Sequence, residues 1–250
     1  MMLRLRQSRR RRGVAKHPKT AGQSALIERR GKVIHMADTR KSMGAVMLAV
    51  VAVGFVGLVV ALVLNWIAGA DFSPWTNYIS DLSVGEGGAS LVYFIQMLLI
   101  ALLSALFFYG SMKTLRSSYG NGGWLTAGVI FGTIGSIDTL VMIFFPLDPM
   151  RPAIYTTHVW TGVIIFVCIA VYAICYSVVF RGSSGPLGAS LVVAVVMAVL
   201  SVAFSALLAL TELTHTIGRH AATYLIEWTA FSLFAVWMLM VGLGLRRSSG

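Results

Sequence analysis

Charged residues and cysteines are scarce in this chain. Only 12% of its 250 residues are Asp, Glu, Lys or Arg, whereas 57% are hydrophobic. This composition excludes a disordered chain and an ordinary soluble domain. Cys168 and Cys175 lie seven residues apart in one apolar segment, so no disulfide framework is predicted. The sequence also lacks the HExxH and GxSxG motifs of zinc proteases and serine hydrolases.

Long apolar segments decide the fold class. A helix needs about 20 apolar residues to cross roughly 30 Å of hydrocarbon. The sequence therefore predicts an all-α fold, a polytopic membrane bundle of six transmembrane helices over residues 43–245, followed by a short tail of residues 246–250. The predicted spans are residues 43–64, 89–109, 124–145, 159–180, 187–210 and 221–245.

The net charge of +11 comes from one end of the chain, because 13 of the 20 Lys and Arg residues precede the first span. The rest of the chain is nearly neutral, so nucleic acid is not a predicted partner. Membrane lipids are a predicted partner, since basic tails bind anionic lipid surfaces. Residues 1–42 are predicted to form a disordered basic tail. Alternatively, translation starts at Met36 and residues 1–35 do not belong to the protein.

The basic residues also predict an orientation. Eighteen of the 20 lie on one side of the six spans, so the positive-inside rule predicts that both termini are cytoplasmic. We expect a multi-pass protein of the plasma membrane. Acidic residues have the opposite distribution, which makes the three outer loops negative. The acidic residues of these loops are Asp71, Asp81, Glu86, Asp148 and Glu212.

Two acidic residues, Asp138 and Glu227, lie inside predicted spans. A charge at the bilayer centre costs roughly 2.5–3.5 kcal/mol on insertion scales, so such residues indicate functional sites. Both lie roughly 9–10 Å below the outer ends of their helices at the rise of an α-helix. His158, Arg219 and His220 are the predicted partners above them. The hypothesis is one polar site open to the outer face. The alternative is an ion pair between helices, Asp138 with Arg219 or His158.

The first outer loop adds polar residues to this site. Ser73-Pro74 resembles a helix start, and a short helix over Trp75–Leu82 would place Asn77, Ser80 and Asp81 on one face. The predicted ligand-binding residues are Asp138, Glu227, His158, Arg219, His220, Ser80, Asp81 and Asn77. No cofactor is predicted. A divalent metal stays an open alternative, with candidate ligands His158, His215, His220, Asp138 and Glu227.

Several short motifs occur in a characteristic order. They are Ser73 with Asn77-x-Ile79-Ser80-Asp81-Leu82, then Phe145-Pro146-x-Asp148-Pro149, then His158, and finally Gly218-Arg219 before a span that contains Trp228. This order resembles the bacterial and archaeal membrane family catalogued as domain of unknown function 998. The resemblance implies a multi-pass helical membrane protein and no established activity. Asp138 and Glu227 are not part of the pattern.

Three functions are compatible with these observations. The first is binding or transport of a small molecule, an ion or a lipid headgroup through the polar site. The second is an accessory or structural subunit whose buried acids fix helix pairing. The third is an intramembrane lipid hydrolase that uses Asp, Glu and His, so enzymatic activity stays open and is the least favoured of the three. The oligomeric state is not predicted.

Overall fold

The computed structural model describes residues 19–119, 122–214 and 221–247. In these residues six α-helices are long and apolar enough to cross a membrane. They are α1 (Lys19–Ile67), α2 (Ala89–Tyr119), α3 (Gly122–Met142), α4 (Pro152–Phe180), α5 (Pro186–Thr214) and α6 (Ala221–Arg247). The bundle belongs to the second of two compact units, residues 37–250, and α1 begins in the first, residues 1–36. The predicted all-α, six-helix membrane fold is confirmed.

Two helix starts differ from the sequence-based expectation. Helix α1 begins at Lys19, so residues 19–42 are helical where a disordered tail was expected; residues 1–18 lie outside the described residues. Helix α4 begins at Pro152, with Arg151 at its N-cap, seven residues before the expected start. Proline favours the first helical position because its φ angle already suits a helix and its missing N–H has no partner there anyway.

Helix α4 is the central element of the bundle. It packs against α3 and α5, while α2 packs against α3, and α5 against α6. Its inner half is rich in aromatic contacts: the Phe108 and Tyr172 rings meet edge to face at 5.1 Å. Polar groups in this core are paired, since the Trp237 indole donates to the Ser177 hydroxyl at 2.8 Å, and Ser111 bonds with Tyr176.

Glycines on α3 make room for rings from neighbouring helices. A Cβ on Gly132 would lie 2.2 Å from the Phe108 ring of α2, and a Cβ on Gly128 would lie 3.0 Å from the Tyr176 ring of α4. Small residues spaced four apart in a membrane helix commonly let another helix backbone approach closely. Here the space beside Gly128 and Gly132 is filled by side chains.

Two of the described connections, residues 68–88 and 143–151, lie at the same end of the bundle, because successive helices run in opposite directions. We call this end the loop end. The two connections touch, as the Leu147 N–H donates to the Ser83 hydroxyl at 2.9 Å. Residues 215–220 lie outside the described residues. The cytoplasmic placement of the termini stays a prediction.

Gly132→Ala is expected to destabilise the protein by about 1–3 kcal/mol through overpacking. The Phe108 ring cannot easily move, since it is buried among Phe107, Tyr172 and Tyr176. Thermal unfolding of the purified protein in detergent measures the change.

Gly162→Ala is the matched control for Gly132→Ala. A Cβ on Gly162 of α4 would meet only Leu208, at an ordinary 3.9 Å, so this change is expected to be neutral, or to stabilise by up to about 1 kcal/mol through helix propensity. Equal effects of the two changes would contradict the packing described for Gly132.

Candidate functional site

The first connection is anchored to the end of α1. Asn65 is buried, and its side-chain oxygen accepts a hydrogen bond from the Glu86 N–H at 2.8 Å. The Trp66 indole donates to the Phe72 carbonyl at 2.9 Å. Gly87 has a φ of +60°, and a Cβ there would lie 2.7 Å from the Leu64 carbonyl oxygen, so only glycine fits. These contacts fold residues 68–88 back over the bundle.

The prediction of one short helix over Trp75–Leu82 is wrong, because this segment forms a turn followed by a 3₁₀ helix. The Asn77 N–H closes a turn onto the Ser73 carbonyl at 3.0 Å, and Tyr78 then adopts an extended conformation. A 3₁₀ helix follows over Ile79–Val84. The Asp81 carboxylate holds this break in place, because it accepts the Tyr78 N–H at 2.9 Å and so competes with continued α-helix.

Glu227 binds the start of this 3₁₀ helix. Its carboxylate accepts the Ile79 N–H at 2.8 Å, and the backbone and hydroxyl of Ser80 also hydrogen-bond to it. The side chain is only 4% exposed. The first N–H groups of a helix have no partner within the helix and readily bind an anion. One end of the 3₁₀ helix is therefore tied to α6 by a buried acid.

Two further contacts from α6 hold the same segment. The Trp228 indole donates to the Asn77 carbonyl at 3.0 Å, and the hydroxyls of Tyr78 and Thr223 lie 3.0 Å apart. Burial is the main cause that raises the pKa of Tyr78 to about 12. Ser80, Asp81 and Asn77, all predicted from the sequence, thus belong to the surroundings of Glu227.

A cavity of about 70 Å³ lies beside Glu227 at the loop end. We call it the loop-end cavity. Its wall includes Tyr78, Ser80, Tyr155, His158, Glu212 and Glu227. At about 10–15 Å³ per water molecule, this space holds a few waters or a small polar group, but no larger ligand.

His158 contributes an acceptor to the loop-end cavity. Its Nδ1 bonds to the Phe145 carbonyl oxygen, and since a carbonyl can only accept, Nδ1 carries the proton. In the neutral imidazole Nε2 is then unprotonated and accepts hydrogen bonds. At the rim, the Thr156 hydroxyl donates to Glu212 at 2.6 Å. The structure therefore brings Glu227 and His158 to one cavity, together with Glu212, which was not among the predicted site residues.

Asp138 lies apart from this cavity. It is partly exposed, and it lies close enough to Cys168 of α4 for an electrostatic interaction. One carboxylate oxygen is buried with no hydrogen-bond partner in the described part of the chain. Asp138 lines neither the loop-end cavity nor the larger cavity described below. Of the predicted site residues, Glu227, His158 and Ser80 line the loop-end cavity and Asp138 does not; that they form a functional site stays a prediction.

Other predicted residues fall outside the described structure. His215, Arg219 and His220 lie between α5 and α6, in residues 215–220. Within residues 19–119, 122–214 and 221–247, no group of three or more His, Cys, Asp and Glu side chains comes close enough to hold a metal ion. This part of the chain therefore contains no set of ligands for the divalent metal that the sequence left as an alternative.

A second cavity of about 400 Å³ lies deeper, between α1, α2, α3, α4 and α6. We call it the bundle cavity. Its walls are mostly apolar, and its volume falls in the range of small-molecule sites. The two cavities adjoin, because four residues line both of them: Ile79, Met97, Ile165 and Phe231.

Gln96 is the polar residue of the bundle cavity that the sequence analysis missed. Its side chain is 5% exposed, and its Nε2 donates to the Gly54 carbonyl of α1 at 2.9 Å. Its Oε1 has no hydrogen-bond partner in the described residues. A Cβ on Gly57 would lie 2.7 Å from Gln96, so this glycine makes space for the amide. The sequence signal that could have identified Gln96 was a glutamine within an otherwise apolar span.

The comparison with family models agrees with this fold. The model of the protein family of unknown function DUF998 matches residues 51–244. The chain belongs to this family. The match covers five of the six helices completely or nearly so, as well as most of α1 after Met36 and the 3₁₀ helix. No curated protein and no solved structure matches the chain. The resemblance of the loop motifs to DUF998 is confirmed, and the family supplies no activity.

Glu227→Leu is expected to destabilise this DUF998 protein by about 1–3 kcal/mol more than Glu227→Gln. Leucine leaves the buried Ile79 N–H without an acceptor, whereas the glutamine carbonyl keeps one. Thermal unfolding in detergent compares the two variants, with Thr229→Val at an exposed position of α6 as control. Equal losses for leucine and glutamine would show that the hydrogen bond to Ile79 does not hold the 3₁₀ helix.

Tyr78→Phe is expected to make stability less sensitive to alkali. The folded pKa of Tyr78 is about 12, above the value of about 10 in an unfolded chain. Its contribution is therefore complete below pH 10 and is lost as the pH rises through 12. The unfolding temperature of the parent protein should fall more steeply between these values than that of the variant. Tyr109→Phe, at an 86% exposed tyrosine, is the control and should keep the parent slope.

Proposed function

We propose that this multi-pass membrane protein binds an amphiphilic, lipid-like molecule inside its helix bundle. The polar end of the ligand occupies the loop-end cavity, and its apolar body occupies the bundle cavity. The observation that carries the proposal is that a small cavity of about 70 Å³, whose wall includes Glu227, Glu212 and His158, adjoins a mostly apolar cavity of about 400 Å³. Neither alone matches an amphiphile, since the first is too small for a whole ligand and the second has few polar groups.

The chemistry of the loop-end cavity favours a polar end that donates hydrogen bonds. Glu227, Glu212 and the unprotonated His158 nitrogen are all acceptors, and the donors nearest Glu227 are already bound to it. The proposed ligand therefore ends in hydroxyl or amine groups.

The proposal also assigns an orientation. The loop end is the outer face of the plasma membrane, which is supported by the placement of 18 of the 20 basic residues on the other side of the spans. A ligand would then enter from the outer leaflet.

A structural role is the second candidate function. The observation that favours it is the complete engagement of the Glu227 carboxylate by backbone and hydroxyl groups of Ile79 and Ser80. In that case Glu227 fixes the 3₁₀ helix to α6 and binds no ligand. The two candidates differ in what the cavities contain when the protein is purified.

Extraction and mass spectrometry of molecules that co-purify with the full chain test the binding proposal. The wild-type protein is expected to retain an amphiphile in near-stoichiometric amount. Ser136→Phe places a ring in the bundle cavity and should remove most of it. Ala235→Phe fills the same cavity from α6 and replaces Ser136→Phe if that variant does not fold.

Val199→Phe is the matched control, because Val199 of α5 is 65% exposed and lines neither cavity. It should retain the amphiphile like the wild-type protein. A wild-type protein that carries no amphiphile and takes up none added in detergent would leave the structural role as the better account.

A further inference from the structure

Helix α1 is the least enclosed of the six membrane helices in the described residues. Of its most apolar stretch 17% is buried inside the protein, which is the smallest share of the six. The helix nevertheless forms one wall of the bundle cavity, to which it contributes Val50, Val51, Gly54, Phe55 and Leu58. Because this wall is a peripheral helix, the packing on each side of α1 decides where the cavity can open to the membrane.

The side of α1 that faces α2 is closed at the level of the bundle cavity. The Gln96 amide of α2 donates to the Gly54 carbonyl at 2.9 Å. A Cβ on Gly57 would lie 2.7 Å from the Gln96 side chain. Glycine at this position lets the side chain from α2 pack directly on the backbone of α1.

Helices α1 and α6 are joined at two levels. Far from the loop end, a Cβ on Gly44 would lie 2.6 Å from the Gly242 carbonyl oxygen, so the two backbones touch. At the loop end, Phe72 of the first connection bridges the helices. Its carbonyl accepts the Trp66 indole of α1 at 2.9 Å, and its ring meets the Trp228 ring of α6 at 6.5 Å. Between these two levels the bundle cavity separates α1 from α6, and its wall includes residues of both.

Two exposed residues mark the place where the bundle cavity reaches the surface. Phe55 of α1 is 68% exposed, Ser232 of α6 is also exposed, and both line the cavity. Phe55 lies eleven residues from Gly44 toward the loop end, and Ser232 lies ten residues from Gly242 in the same direction. At the rise of an α-helix, both are roughly 15–17 Å from the contact between the backbones. They therefore lie at one level.

The two residues also lie on matching sides of their helices. Phe55 is about 160° around α1 from Gly57, which faces α2. Ser232 is about 160° around α6 from Phe234, whose ring meets that of Tyr172 in α4 at 6.1 Å. Each residue is thus turned away from the neighbour that closes the other side of its helix. We call the crevice between Phe55 and Ser232 the side opening.

We infer that the bundle cavity takes its ligand sideways from the lipid bilayer, through the side opening between α1 and α6. This inference rests on the proposed function and names the source of the ligand, a lipid of the surrounding membrane. Ser232 lies eleven residues below the start of α6 at Ala221, roughly 16 Å at the rise of an α-helix. That is about half of the 30 Å hydrocarbon core. An apolar chain enters at this depth without crossing water.

The alternative route leads through the loop end. It is narrow, because the loop-end cavity has a volume of only about 70 Å³, and the first connection lies over the bundle. The side opening also restricts the ligand. A hydroxyl group crosses an apolar passage at much lower cost than a charged headgroup does. The ligand is therefore an uncharged membrane lipid with a small polar end.

A fatty alcohol with a photoreactive diazirine in its chain tests the side opening. The full chain in lipid vesicles is mixed in the cold with vesicles that carry the probe, and is irradiated after increasing delays. Mass spectrometry follows the labelling of the peptide that contains Met97. This residue is 5% exposed and lines both cavities, so its labelling reports probe inside the bundle. Mixing loaded protein with probe-free vesicles measures release in the same way.

Ser232→Trp narrows the side opening and is expected to slow both uptake and release about tenfold, which corresponds to a barrier raised by about 1.4 kcal/mol. The final extent of labelling should stay the same, because an entrance affects both directions equally. Phe55→Ala widens the opening and should speed up both processes. It tests the inference with the opposite sign if the tryptophan variant does not fold.

Matched controls place the same changes on the lipid-facing surface. Thr229→Trp adds the same ring to α6, and Val56→Ala shortens the residue next to Phe55. Both positions are exposed and line neither cavity, so both variants should exchange the probe at the wild-type rate. Ser136→Phe, whose bundle cavity is filled, gives the background labelling of the Met97 peptide.

The outcomes separate this inference from the proposed function. Labelling above the Ser136→Phe background, with rates unchanged in Ser232→Trp and Phe55→Ala, would overturn the side opening and leave the proposed function standing. A rate change that Thr229→Trp shares with Ser232→Trp would also overturn it. If the wild-type protein is labelled no more than Ser136→Phe at any delay, the bundle cavity does not take the chain, and both proposals fail.

Discussion

The hydrogen bond between Glu227 and the start of the 3₁₀ helix is the interaction on which the loop end depends. A buried carboxylate needs donors, and a helix start has N–H groups that lack acceptors. The chain satisfies both needs with one contact, Ile79 N–H to Glu227 at 2.8 Å. Ile79 also lines both cavities, as do Met97, Ile165 and Phe231. The contact with Glu227 thus holds one of the four residues that the two cavities share.

This arrangement uses up donors and leaves acceptors. The N–H groups nearest Glu227 are bound to it, and the hydroxyls of Ser136 and Thr139 are bound to their own helix. Membrane helices commonly satisfy serine and threonine in this way, since no water is available. The acceptors that remain at the loop-end cavity include Glu212 and the unprotonated His158 nitrogen. Under the proposed function, a bound molecule that brings donors would meet them there.

Hydropathy predicted the six helices because crossing a bilayer demands long apolar segments. It also singled out Glu227, since charge in such a segment is costly. It could not separate Glu227 from Asp138, because equal depth does not tell which way each helix face turns. The start of α4 and the break at Tyr78 were missed as well, since they depend on Pro152 at the first helical position and on the Asp81 carboxylate that holds Tyr78 extended. Gln96 was overlooked because only charged residues within the spans were taken as signals of a functional site.

Asp138 and Gln96 show why position decides what an unsatisfied oxygen can do. Each has one buried side-chain oxygen without a partner in the described part of the chain. Asp138 is partly exposed beside Cys168 and lines neither cavity, so a ligand inside the bundle does not reach it. Gln96 is buried and is held at one end by Gly54. Other atoms of its side chain line the bundle cavity, but its unpartnered oxygen has essentially no accessible surface. A buried unsatisfied oxygen becomes a recognition element only where a partner can reach it, and neither of these two oxygens is open in that way.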